Sequence, residues 1–151
     1  MPKYTEKPWG RFCTIDEGEG YKVKLLVVHP GHRLSLQLHY RRSENWTVLQ
    51  GTAMITLDDM EWVLKPSDSV FINKGATHRL ANDGTVDLVV LEAQHGKYLE
   101  EDDILRISDD YGRGIGEKVT DHAAFPPGSL SRKALPVEQI SEKEEDKSDT
   151  D

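Results

Sequence analysis

Gln37, His39, Glu44 and His78 bring together one amide oxygen, two imidazoles and one carboxylate. Such donors form a hard-to-borderline set that suits zinc, manganese, iron(II) or cobalt. No thiolate joins them, which argues against a purely structural zinc site and for an ion that keeps positions open to water or substrate. Gln37 and His39 lie on a stretch where a period of two puts Leu34, Leu36 and Leu38 on one face and Ser35, Gln37 and His39 on the other. If the polar face points into a barrel, its amide and imidazole need partners, and a metal ion would supply them. The leucine face then needs cover from a second sheet or a second subunit. Glu44 follows the turn-prone Arg41-Arg42-Ser43 and returns to the same interior point from the next strand. His78 stands three residues after Gly75, whose tight turn places an imidazole at the mouth of a later strand. A lone histidine, or a lone Gln-x-His, is ordinarily a satisfied polar group; the four residues with their intervening turns carry the metal reading.

The elements that must position these groups read as short strands. Alternating or β-branched runs cover residues 11–15, 21–29, 33–40, 45–50, 52–57, 61–64, 69–72, 77–81 and 87–94, with Gly, Asn, Asp and Pro turns between them. Many short strands at this spacing predict an all-β antiparallel sandwich or barrel, and no long segment of 3.6 period competes. Beyond Gln94 the texture changes. Acidic residues at the start of 102–107 predict a short helical segment, since the helix dipole favours them there. Ser141 to Asp151 holds six acidic residues, two basic ones and no apolar one, so it should be disordered. The expected organisation is one domain over 1–116 and an extended, largely disordered acidic tail over 117–151.

Composition bounds the partners. The chain has 151 residues, enough for one substantial core and short for two domains. Its formal charge of −8 argues against nucleic acid or an anionic membrane, although a locally basic pocket could still take an anionic small molecule. Cys13 is the sole cysteine; it cannot form an intramolecular disulfide and reads as a packing residue in a reducing compartment. The first residues lack the apolar core of a signal peptide, and no stretch reaches membrane-spanning length. The expectation is a cytoplasmic protein.

The motifs resemble a known family. Gly31, Gln37-x-His39, Glu44 and Gly51 follow the first cupin motif, with glutamine in place of its first histidine, and Gly75-x-x-His78-x-x-x-Asn82 follows the second. Lys7-Pro8-Trp9-Gly10, Tyr21-Lys22-Val23-Lys24, Arg42-Ser43-Glu44-x-Trp46, Glu92-x-Gln94-x-Gly96-x-Tyr98-Leu99 and Asp109-x-Tyr111-Gly112-Arg113 are similar to the type II mannose-6-phosphate isomerases. In that family the cupin unit is often the C-terminal half of a bifunctional enzyme that is also a mannose-1-phosphate guanylyltransferase. The nucleotide loop of the guanylyltransferase half is not found here, so that activity should be absent. Tyr40 and Asn45 depart from the family, which usually has histidines there, as does Glu100, where it usually has glycine.

The resemblance implies a cupin fold and a homodimer that interconverts mannose 6-phosphate and fructose 6-phosphate on the way to GDP-mannose. It implies one divalent ion on Gln37, His39, Glu44 and His78, zinc first, with manganese, cobalt, iron or nickel as alternatives. The reaction moves a proton between C2 and C1 through an enediolate and needs a general base. Glu44 freed from the ion, a hydroxide on the ion, and Glu92 all remain admissible. Lys24, Arg79 and Arg106 are the candidate phosphate ligands, with Arg106 first because arginine binds phosphate in a bidentate manner; Trp9 and Trp46 read as pocket walls. A different class of function also fits: a non-catalytic sugar-phosphate-binding or regulatory cupin that partners a separate guanylyltransferase. An iron(II) oxygenase ranks third.

Overall fold

The computed structural model describes residues 2–115. The boundary expected at 116/117 and the tail beyond it lie outside the described residues. Eleven strands run in chain order: β1 (Thr5–Lys7), β2 (Gly10–Gly18), β3 (Tyr21–Val28), β4 (Leu36–Leu38), β5 (Ser43–Gln50), β6 (Ala53–Leu57), β7 (Met60–Leu64), β8 (Ser69–Ile72), β9 (His78–Ala81), β10 (Leu88–His95) and β11 (Leu105–Ser108). They form a six-stranded sheet, β1-β2-β3-β10-β5-β8, facing a five-stranded one, β11-β4-β9-β6-β7. All pairings are antiparallel.

Strand alternation decides what fills the space between the sheets. In β3, β5, β8 and β10 the even-numbered residues face inward: Leu26, Val28, Trp46, Val48, Val70, Ile72, Leu88 and Val90 join Ile55 and Leu80 of the facing sheet in one core. Each such side chain contributes roughly 1.5–3 kcal/mol on leaving water. The same alternation, continued toward the other end of the barrel, puts Lys24, Glu44, Glu92 and Gln94 inside, all buried. One end of the interior is therefore apolar and the other polar.

The helical segment expected over 102–107 is a strand instead. Leu105 and Ile107 alternate on β11 onto the leucine face of β4 and pack with Leu38, Leu36 and Tyr40, while Arg106 turns with Gln37 to the pocket; two-residue periodicity and the pairing of β11 with β4 thus override the acidic helix-start signal. This strand lies beside β4 in the same sheet and extends the leucine face read from the sequence, with one change. Leu34 belongs to the other cluster, packed against the main core, because regular pairing does not begin until Leu36. Among the described residues there is no helix.

Candidate metal centre and active site

Two turns bring the ligand candidates together. Gly75 adopts a positive φ of 78°, which favours a residue without Cβ, and its N–H donates to the His39 carbonyl (2.8 Å). The turn before β9 is thus fastened to the end of β4, and His78 lies opposite Gln37 in the register of these strands. Glu44 is the second residue of β5, after the short 39–42 connection. That connection is held by Asp103, whose carboxylate accepts the backbone N–H groups of Tyr40 and Arg41 (2.9 Å each).

His39, Glu44 and His78 are all buried, with one donor atom of each lying within 4.8 Å of the others. Both imidazoles are oriented by backbone carbonyls. His39 Nδ1 lies 2.7 Å from the Asp103 carbonyl and His78 Nδ1 2.9 Å from that of Ala76. Each Nδ1 must carry the proton, so each Nε2 turns a lone pair inward. Such outer contacts are what fix a histidine for metal binding. Burial, aided by the neighbouring His39, pushes His78 down to about 4, so it is neutral at neutral pH, as a ligand must be. Burial alone would raise the Glu44 carboxyl, but His39 and Arg42 outweigh it and hold it well below its ordinary value.

The hydrogen-bond accounting fits an ion. Glu44 Oε1 and His78 Nε2 are buried acceptors without a partner, 3.7 Å apart. An unsatisfied buried polar atom costs about 1–3 kcal/mol, and two acceptors facing one another cannot satisfy each other. A cation satisfies both. Gln37 stands beside this cluster, but its amide Nε2 donates to Ser35 Oγ (2.8 Å), and the tight cluster is the two histidines and the glutamate.

Next to the cluster is a pocket open to solvent. Gln37, Arg42, Glu92 and Arg106 all line it. Arg42 separates it from the cluster: Nε donates to Glu44 Oε2 (2.8 Å) and Nη2 lies 3.3 Å from His39 Nε2. Glu92 accepts hydrogen bonds from Trp46 Nε1 (3.0 Å) and Gln94 Nε2 (2.8 Å). Burial and the charge of Glu44 push its carboxyl up to about 7. The lining holds Lys7, Lys24, Arg42, Arg106 and Arg113 against Glu92 and Glu101, so a chain of net negative charge carries a locally cationic cleft.

This architecture has known counterparts. A family model described as the mannose-6-phosphate isomerase C-terminal region matches residues 2–109. The chain belongs to this family. It is 44% identical over 113 residues to the mannose-1-phosphate guanylyltransferase ManC of Salmonella typhimurium, covering 75% of this chain and 24% of that protein. It is 47% identical over 107 residues to the alginate biosynthesis protein AlgA of Pseudomonas aeruginosa, covering 71% of this chain and 22% of that protein. The chain thus spans about a quarter of the length of the curated relatives it matches. Among solved structures, the Schizosaccharomyces pombe Cnp3 cupin domain aligns with a TM-score of 0.55 at 13% identity, over 57% of this chain and 64% of that one. The fold is a cupin.

Within this cupin the predicted phosphate ligands separate. Lys24 and Arg106 line the pocket. Arg79 does not: its Nε donates to the Leu34 carbonyl (2.9 Å) and its Nη2 to that of Ser108 (3.2 Å), strapping β9 to the segments flanking it. Lys24 forms a short ion pair with Glu101 and sits over the Phe12 ring at 4.5 Å. Trp9 is a pocket wall, whereas Trp46 packs edge-on to His78 (5.4 Å) and serves Glu92. Sequence reasoning assigned no role to Arg42, Asp103, Glu101 or Gln94. Arg42 was legible, being two residues from Glu44 and hence on its face; Asp103 gave no local signal. No helix among the described residues is long and apolar enough to cross a membrane.

Proposed function

We propose that this protein is a metal-dependent isomerase that interconverts mannose 6-phosphate and fructose 6-phosphate. The observation that carries the proposal is the buried His39–Glu44–His78 cluster, with Arg42 between it and a cationic pocket, in a chain of the mannose-6-phosphate isomerase C-terminal family. Gln37, beside His78 in register, is the fourth residue that would hold the ion. A divalent ion there would act as a Lewis acid toward the sugar's C1 and C2 oxygens, stabilising negative charge as it develops.

The chain's own groups supply the rest. The Glu92 carboxylate is the base: it takes the proton from C2 of the aldose, leaving an enediolate; the hydroxyl proton passes from O2 to O1, and Glu92 returns its own proton to C1 to complete the ketose. Its value near 7 suits both halves of that exchange, since a base near the working pH gives up its proton as readily as it takes it. Arg106 and Lys24 bind the phosphate, with Arg113 and Lys7 adding positive charge. The hydrophobic walls, Trp9, Leu26 and Leu34, limit water around the reacting carbons. Zinc is the proposed native ion, and the protein acts in the cytoplasm as a homodimer. The outward odd-numbered residues of the six-stranded sheet include the exposed Leu49 and Phe71, an apolar surface consistent with a second copy.

The test is a coupled assay on metal-reconstituted protein, with light scattering for mass. Formation of fructose 6-phosphate from mannose 6-phosphate, lost on chelation, supports the reading. Binding of mannose 6-phosphate by calorimetry without any turnover would replace it with the sugar-phosphate-binding alternative.

A further inference from the structure

Gln94 is fully buried, at 0% exposure. Its Nε2 donates to Glu92 Oε1, which fixes the orientation of the amide, because a carboxylate accepts only from the NH₂ side. The carbonyl oxygen must then point away from Glu92, and it has no hydrogen-bond partner. Gln94 is the cross-strand neighbour of Glu44, and directly opposed side chains of an antiparallel pair share a face with Cβ atoms about 4.5–5.5 Å apart. Gln94 Oε1 is thus a further buried acceptor without a partner, on the inner face that also carries Glu44 with its unpaired Oε1. A cation accounts for Glu44 Oε1 and His78 Nε2. A neutral amide carbonyl is better satisfied by a proton donor, and Arg42 Nη1, itself a buried donor without a partner, does not reach it within hydrogen-bond distance.

We propose that Gln94 is a positioning residue joining the two halves of the site: its amide holds the Glu92 carboxylate, and its carbonyl accepts the proton of an oxygen, water or sugar hydroxyl, standing in front of the His39–Glu44–His78 cluster. This rests on the metal-dependent isomerase reading. One rigid amide then sets the distance between the carboxylate that moves the proton and the oxygen whose charge changes. A misplacement on the scale of an ångström at such a point costs about 100-fold in rate.

The test uses the full chain, loaded with Co(II), as wild type, Gln94→Met and Gln94→Glu. Methionine keeps the length and removes both hydrogen bonds; glutamate keeps an acceptor and loses the donor toward Glu92. The inference expects Co(II) affinity within about threefold of wild type in Gln94→Met, a shifted visible absorption band, and kcat lowered about 100-fold with KM within threefold. Gln94→Glu should also lose kcat, and it decides the matter if the methionine variant does not fold. An unshifted band with kcat within threefold of wild type in a folded variant overturns the inference. So does complete loss of Co(II) from Gln94→Met, which would make Gln94 a ligand. If wild-type protein itself binds no Co(II) or makes no fructose 6-phosphate, the isomerase reading fails instead.

Discussion

Replacing Glu92 with glutamine should change how stability depends on pH more than it changes stability itself. Glu92 is buried and its carboxyl sits at about 7 in place of 4.5. At about 1.4 kcal/mol per pH unit, the ionised side chain is disfavoured in the folded state by about 3 kcal/mol. Between 4.5 and 7 the folded chain holds a proton here that the unfolded chain has released, so this group's contribution falls as pH rises and is gone above 7. His78 runs the other way. At about 4 when folded against 6.5 ordinarily, it makes stability rise with pH over 4–6.5 by a similar amount, so the two slopes nearly cancel in the metal-free wild type. Glu92→Gln removes one slope and leaves the other. Urea unfolding of chelator-treated protein at pH 5 and pH 8, followed by tryptophan fluorescence, measures this directly. The variant's stability relative to wild type should increase by about 2–3 kcal/mol from the lower to the higher pH. The lost Trp46 or Gln94 hydrogen bond adds an offset that does not depend on pH, so only the change between the two values counts. A change below about 1 kcal/mol would refute the assignment of Glu92 as a buried acid of raised proton affinity.

Four further outcomes are expected. His39→Ala and His78→Ala should each abolish stoichiometric metal uptake and isomerase activity together, read by elemental analysis beside the coupled assay, while the far-UV spectrum stays that of a folded β protein. Asp103→Ala frees the Tyr40 and Arg41 N–H groups and loosens the carbonyl that orients His39; metal affinity should fall about 10–100-fold by competition titration, with the fold retained. Lys24→Met should raise KM for mannose 6-phosphate with a smaller effect on kcat, and Glu101→Gln, which releases Lys24 from its ion pair, should tighten inorganic phosphate binding in calorimetry.

How much of this was legible in the sequence follows from the range of the interactions. Two-residue alternation is local, so it placed His39 and Gln37 on an inner face and located β3, β5, β8 and β10 to within a residue or two. The glycine turns are local as well, and they brought His78 into range. The segment around β11 misled because Glu100, Glu101, Asp102 and Asp103 resemble the acidic start of a helix. Asp102 pairs locally with Tyr98, but the partners of Asp103 and Glu101 are Tyr40, Arg41 and Lys24, sixty or more residues away, and no short window contains them. Leu34 was placed on the wrong face for a related reason: an irregularity in pairing shifts the alternation and leaves the composition unchanged. Arg79 was a candidate phosphate ligand yet donates to two backbone carbonyls, because residue type alone does not tell a phosphate ligand from a strap. Glu92 stood among the admissible bases, but its proton affinity depends on Glu44 and on how deeply both are enclosed.

The position of β10 has a consequence for motion. This strand carries Glu92 and Gln94 and is paired along its length with β3 on one side and β5 on the other. Its amides can meet solvent only when the sheet itself opens, so they should exchange hydrogen at the rate of global unfolding. Glu101 lies in the stretch between β10 and β11, outside any strand, and its backbone opens at much lower free energy. The groups that would move protons are thus set on the least mobile element of the barrel, and the carboxylate that pairs with Lys24 is set on one of the more mobile stretches. Hydrogen exchange should divide the pocket's lining along that line, with the slow amides on β10 and the fast ones in the segment that bears Glu101.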